Sequence, residues 1–237
     1  MPVHVPPRAI LVAVDFGAAS DRALSVAGAL GERFGATVTA VHAETFEAPP
    51  YFTLEQMASL ERERERTWAA ARKHLQDVAG AHSRWPITAR VVEGPAVSGI
   101  LAASDGADLL LLGTHGRRGA GRWWLGSVAE GVLRATAIPL LVVRADAPVV
   151  AAPAARVTVL AGEEVSAELS AWARALAAPA EPAYLRGGRA CAPHDLAGAA
   201  LVIVPLGADP AETRVAGEAV QLLRDCGHPL LFVPTGS

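Results

Sequence analysis

Five glycines and a serine between residues 113 and 127 form the part of this sequence best suited to hold an anion. The segment Gly113-Thr114-His115-Gly116-Arg117-Arg118-Gly119-Ala120-Gly121-Arg122-Trp123-Trp124-Leu125-Gly126-Ser127 runs from an apolar strand pattern into a helical one. Missing side chains let backbone amides approach a phosphate, and glycine also reaches positive φ. Free amides at a helix start, at the positive end of its dipole, then favour the anion. Ser127 offers a hydroxyl donor, and each charge-assisted bond of this kind contributes roughly 1.5–3 kcal/mol. Glycines in this number also suit a tight loop that holds nothing. Two common phosphate motifs are excluded. A Walker A loop needs lysine after its final glycine, whereas the only lysine is Lys73, inside a predicted helix. The dinucleotide fingerprint G-x-G-x-x-G fails because Gly119-x-Gly121 is followed by Trp124 at the third glycine position. No nucleophile with a partnering general base accompanies the loop, so no catalytic residue is assigned and any hydrolysis is expected to be slow.

The elements that must position this loop alternate between strand and helix patterns, which argues for βα units around a buried parallel sheet. Ala9–Val14 reads as a first strand ending at Asp15. Ser20 is the expected N-cap of a helix whose Ala23, Ala27, Leu30 and Phe34 share one face, with Gly35 as its stop. Thr37–His42 follows as a second strand. A long helix is expected from about Thr53 to Val78, with Glu61-Arg62-Glu63-Arg64-Glu65-Arg66 on a solvated face. Ile87–Val92 is a third strand, and Gly94-Pro95 turns the chain into a short helix bearing Val97, Ile100 and Leu101. Leu109–Leu112 is apolar throughout and therefore central. A helix from about Ser127 to Thr136 leads to a fifth strand, Pro139–Val143. The glycine loop thus opens at a strand's carboxyl end, the edge where open parallel sheets bind ligands.

Gly113-x2-Gly116-x9-Gly126-Ser127 resembles the ATP-binding motif of the universal stress protein family. Leu125-Gly126-Ser127-Val128-Ala129-Glu130, Pro139-Leu140-Leu141-Val142-Val143-Arg144, Val14-Asp15 and the strand-end His42 fit the same pattern, over roughly residues 8–145. The resemblance implies an α/β fold of the adenine nucleotide alpha hydrolase type: an open parallel five-stranded sheet in the order 3-2-1-4-5, with helices on both faces. It implies ATP as cofactor, with or without magnesium. Val14 and Asp15 would border adenine and ribose, and backbone near Ala43 would read the adenine edge. Gly113 and Gly116 would approach ribose and phosphates, while Gly126, Ser127 and Val128 hold the phosphate end. Asp15 would accept a ribose or base hydrogen bond, or position the magnesium. Many members carry serine where this chain has Gly17, which weakens any hydroxyl role there. The implied function is that of an ATP-binding sensor or regulator in stress response, often dimeric through its last strand. A nucleotide-free scaffold and an adenylyl-transfer enzyme are the alternatives. The latter carries a Ser-Gly-Gly-containing loop that Asp15-Phe16-Gly17-Ala18-Ala19-Ser20 does not supply.

Beyond a linker at 146–155, residues 156–237 read as a shortened repeat of 1–145. His228–Val233 matches Ile138–Val143, Leu201–Val204 matches Leu109–Leu112, and Val157–Leu160 resembles the first strand. The glycine pattern is gone: Gly113, Gly116 and Gly126-Ser127 become Pro205, Ala208 and Ala216-Gly217, and Asp15 becomes about Gly162. Proline has no amide to donate, so no second nucleotide site is expected. Such a repeat can stand in for a second subunit, making the molecule either a homodimer or an internal pseudo-dimer. Up to residue 145 the chain holds 15 basic and 14 acidic residues, and beyond it 6 and 10. Neither part has the basic excess of a general nucleic-acid binder, and the Arg117, Arg118, Arg122, Trp123, Trp124 patch reads as a flap or a subunit contact. Cys191 and Cys226 suggest reduced cysteines rather than a disulfide framework. The histidines show no metal-site spacing. No apolar run reaches the length of a membrane span, and the first residues lack a signal-peptide pattern, so a cytoplasmic protein is expected.

Overall fold

Strands that are apolar at every position must be covered on both faces. The computed structural model, which describes residues 3–45, 54–114, 126–147, 156–161, 165–186, 196, 198–207, 220–222 and 226–235, places them inside one sheet. The first half consists of β1 (Ala9–Ala13), α1 (Ala18–Phe34), β2 (Thr37–Glu44), α2 (Leu54–His82), β3 (Ile87–Glu93), α3 (Ala96–Ala103), β4 (Leu109–Thr114), α4 (Ser127–Ala135) and β5 (Leu140–Arg144). The second comprises β6 (Val157–Ala161), α5 (Ala167–Ala177), β7 (Ala183–Arg186), β8 (Leu201–Gly207) and β9 (Leu230–Thr235).

The strand order is β3-β2-β1-β4-β5-β9-β8-β6-β7. The order 3-2-1-4-5 is present, as one end of this nine-stranded sheet. Every neighbouring pair is parallel except β5 and β9, which meet antiparallel with Leu141 opposite Leu231. The second half repeats the first in register. Leu110 faces Leu140 as Val202 faces Leu230, and Ile10 faces Leu109 as Val157 faces Leu201. Side chains alternate between faces along each strand. Ile10, Val12, Leu109 and Leu111 therefore enter a core beneath α1, α2 and α5 that extends to Ile203, Leu231 and Trp172. Leu11, Leu110 and Leu112 enter a second core beneath α3 and α4, with Val202 and Phe232. Both cores run across the β5–β9 junction. Arg33, in the last turn of α1, adds a polar link by donating to the carbonyls of Ala175, Leu176 and Ala178 at the end of α5.

α1 starts two residues before the Ser20 that the sequence suggests as its N-cap. Gly17 is the N-cap, and Ser20 lies in the first turn, where its hydroxyl accepts from the Gly17 N–H (3.2 Å) and donates to the Gly17 carbonyl (2.9 Å). Gly35, at φ +66°, closes the helix as expected of a left-handed C-terminal glycine. α2 is 29 residues long, or about 43 Å. It runs back from the carboxyl ends of the strands and buries Leu75 and Ala79 against the sheet.

Asp108, just before β4, fastens the chain ahead of β1. Its carboxylate accepts the N–H groups of His4 (2.8 Å), Arg8 (2.8 Å) and Ala9 (3.0 Å) while only 5% exposed. Burial by itself would raise the Asp108 pKa, but the three amides outweigh it and hold the carboxyl below its ordinary value. A depressed folded-state pKa contributes stability above the unfolded value of about 3.9 and loses it as pH falls through the folded one. Replacing Asp108 by alanine is expected to cost about 1–3 kcal/mol at pH 7, because it leaves three part-buried amides without their acceptor. Urea titrations at pH 7 and pH 3 check this: the gap between parent and variant narrows at the lower pH.

Candidate functional site

The chain leaves β1 toward β2 and β3 on one side and returns to β4 on the other. The carboxyl ends of β1 and β4 therefore flank the point where strand order reverses, the crevice in which open α/β sheets bind ligands. Ala13 and Leu112 are paired, and beyond them Val14 and Asp15 on one side face Gly113 and Thr114 on the other. A cavity of about 220 Å³ opens there. Its base is formed by these strand ends with Val41, His42 and Ala43 of β2, and one wall by Ala96 and Ile100 of α3. The amino end of α4, from Gly126 to Ala129, supplies another wall, and Ser20 brings in the first turn of α1.

The amino end of α4 thus lines this space, and the first turn of α1 reaches it through Ser20. The first bond within α4 is donated by Glu130 to the Gly126 carbonyl (3.0 Å), and in α1 by Asp21 to the Gly17 carbonyl (3.0 Å). The amides of Ser127, Val128 and Ala129, like those of Ala18, Ala19 and Ser20, precede the internal ladder of their helix. Gly126 has no side chain with which to cap α4. The electrostatic result is a lobe of positive potential suited to an anion. The exposed carboxylate of Asp15 stands at its border and accepts the Gly17 N–H (3.0 Å).

The two described glycines of the motif have different reasons for being glycine. A Cβ on Gly113 would lie 2.4 Å from the Ala19 carbonyl carbon and 2.5 Å from the Ser20 nitrogen. Gly113 therefore lets the backbone of α1 rest on β4, which brings the amino end of α1 to the cavity. A Cβ on Gly126 would meet no described atom within 4 Å. Its φ of −62° and ψ of 147° are open to any residue, so its backbone conformation does not demand glycine.

Val14, Asp15, Ala43, Gly113, Gly126, Ser127 and Val128, singled out from sequence, all line the same cavity. Gly116 lies outside the described residues, as do His115, Arg117, Arg118, Arg122, Trp123 and Trp124. Sequence reasoning missed Ala13, Ser20, Ala96, Ile100, Thr114 and Ala129 as lining residues. Ala96 and Ile100 are four apart on a helix and hence on one face, a signal indistinguishable from ordinary core packing. His42, noticed only as a strand-end match, is held at both ring nitrogens. Nδ1 donates to the Val14 carbonyl (2.7 Å), and Nε2 lies 3.2 Å from Glu44 Oε2.

The corresponding place in the second half is built differently. Counting along the matched registers, Ala13 becomes Leu160 and Thr114 becomes Leu206, both buried. Pro205 stands at the position of Gly113 within β8, while Gly162, Ala208, Ala216 and Gly217 lie outside the described residues. Among the described residues no group of three or more His, Cys, Asp or Glu side chains is placed to hold a metal ion, and no helix is long and apolar enough to cross a membrane. Cys226 is buried, and Cys191 lies outside the described residues.

The family model for universal stress proteins matches residues 7–144. A universal stress protein of Mycobacterium tuberculosis is 31% identical over 150 residues, covering 60% of this chain and 46% of that protein. The chain thus spans about half the length of the curated relatives it matches. A universal stress protein structure from Archaeoglobus fulgidus superposes with a TM-score of 0.63 at 16% identity, over 97% of this chain and 99% of that one. A functionally unknown protein from Pseudomonas aeruginosa superposes with a TM-score of 0.55 at 12% identity, over 96% and 92%. Both share the fold across nearly the whole chain. Because the family model covers more than half of its residues, the chain belongs to the universal stress protein family.

Proposed function

We propose that the cavity between β1 and β4 binds an adenine nucleotide, ATP in the first instance, and that occupancy makes the protein a sensor or regulator in stress response. The observation that carries this reading is that the amino end of α4, Ser20 in the first turn of α1 and the Asp15 carboxylate line one cavity. The apolar wall of Val41, Ala43 and Ile100 suits the base, with peptide groups near Ala43 reading its edge. Asp15 takes a ribose hydroxyl or a magnesium ion that accompanies the phosphates. The Ser127 and Val128 amides and the Ser127 hydroxyl take the phosphate end. Asp15 and His42 are the titratable groups among the lining residues, and His42 is engaged at both nitrogens. With His42 so engaged and Asp15 given to ribose or magnesium, binding rather than rapid turnover is the function proposed.

The division into an ATP-binding segment 1–145, a linker 146–155 and a degenerate repeat 156–237 belongs to the same proposal, supported by the repeated registers. So does a cytoplasmic location. The antiparallel β5–β9 pairing favours an internal pseudo-dimer over a homodimer. Native mass spectrometry of the full chain with ATP and magnesium tests these points together. The expected species is one chain carrying one nucleotide. A spectrum without nucleotide, joined to flat calorimetry with ATP, ADP and AMP, would leave the nucleotide-free scaffold standing. Two nucleotides per chain would contradict the reading of the second half, and rapid multiple turnover of labelled ATP would make the protein an enzyme.

A further inference from the structure

Phe16, next to Asp15, is the one described residue other than glycine with positive φ, at +60°. The left-handed region disfavours any side chain with a Cβ, and a bulky aromatic there persists only where its surroundings hold it. Those surroundings include the edge of the apolar core and two imidazoles. The Phe16 ring centroid lies 4.5 Å from that of His42 and 4.6 Å from that of His74, with interplanar angles of 48° and 39°. His42 is itself anchored to the Val14 carbonyl, and His74 comes from α2, outside the cavity lining. The backbone that the ring immobilises carries Asp15 on one side and Gly17, the N-cap of α1, on the other.

We infer that Phe16 is a positioning residue for nucleotide binding: clamped between His42 and His74, it enforces the left-handed turn that presents Asp15 and the amino end of α1 to the cavity. This inference rests on the nucleotide reading above. The ring is only partly buried at the edge of the core, so its removal acts on the turn more than on the fold. Without it, an alanine at position 16 relaxes toward negative φ and withdraws both groups from the ligand.

The test measures ATP affinity by calorimetry and the thermal midpoint for the parent, Phe16→Ala, Phe16→Tyr and His74→Ala. Phe16→Ala is expected to bind at least 10-fold more weakly with a nearly unchanged midpoint, and Phe16→Tyr, which keeps the ring, to bind like the parent. His74→Ala, an exposed site that does not line the cavity, is expected to weaken binding severalfold. Imidazole proton resonances of His42 should lose their ring-current shift in Phe16→Ala and regain it in Phe16→Tyr. Parent-like affinity in Phe16→Ala, or a weak Phe16→Tyr with a parent-like midpoint, overturns the inference while leaving the nucleotide reading intact. A parent that binds no ATP overturns both. Should Phe16→Ala fail to fold, His74→Ala decides: unchanged affinity there sinks the clamp.

Discussion

Gly126→Val is expected to abolish detectable ATP binding while the protein still unfolds close to the parent's temperature. The backbone at Gly126 already has extended angles that valine adopts freely, and no described atom lies within 4 Å of its missing Cβ, so the described residues do not resist the change. The cost to folding is that of a poorer helix cap, about 1 kcal/mol or less. The cost to binding is larger. Gly126 lines the cavity directly ahead of the Ser127 and Val128 amides, and a branched side chain there stands between those donors and a phosphate. Losing two charge-assisted hydrogen bonds, each about 1.5–3 kcal/mol, corresponds to roughly 100-fold or more in affinity. Calorimetry and a thermal melt on the same sample check both halves of the expectation. Parent-like affinity would remove α4 from the site.

Gly113→Ala gives the opposite pattern: the fold suffers first. The added methyl would sit 2.4–2.5 Å from backbone atoms of Ala19 and Ser20, which have no rotamer to change. α1 must then lift from β4, loosening the fully buried Ala23, Ala27 and Leu30 on the underside of the helix. Overpacking of this kind costs about 1–3 kcal/mol and occasionally more, and a backbone clash belongs at the upper end. For a chain of this length about 3 kcal/mol lowers the melting midpoint by roughly 6–12 °C. Nucleotide affinity should fall as well, because the amino end of α1 retreats. A control comes from Gly80 in α2, where an added Cβ meets no described atom within 4 Å; Gly80→Ala there should be neutral or stabilise by up to about 1 kcal/mol. An unchanged midpoint for Gly113→Ala would mean that α1 is not seated on β4 as described.

The contrast between these glycines shows how far the sequence could be read. Spacing marked both positions as special, but it carries no information on the direction in which the absent Cβ points. At Gly113 it points at α1, and at Gly126 it meets no described atom within 4 Å. Leu109–Leu112 was legible as the central strand because four consecutive leucines leave no face for water, and it lies between β1 and β5. The likeness between His228–Val233 and Ile138–Val143 was legible too. That the two strands would hydrogen-bond to each other came only with the family resemblance, as one of two alternatives, since pairing across 90 residues leaves no local pattern. Ser20 misled because serine caps a helix equally well from its own hydroxyl or, as here, by bonding back to the N-cap from the first turn. Phe16 was invisible for a related reason: its conformation depends on His74, far along the chain on another helix.

The antiparallel seam between β5 and β9 makes a partnership that separate subunits would have to find by diffusion into a permanent one. Tethering fixes the local concentration of the two halves independently of how much protein is present, so dilution does not part them. It also closes the edge of β5: a terminal strand from another chain meets backbone groups already bonded to β9. On the pseudo-dimer reading proposed above, such a protein keeps its own company and does not exchange halves across that seam with other proteins of the same fold.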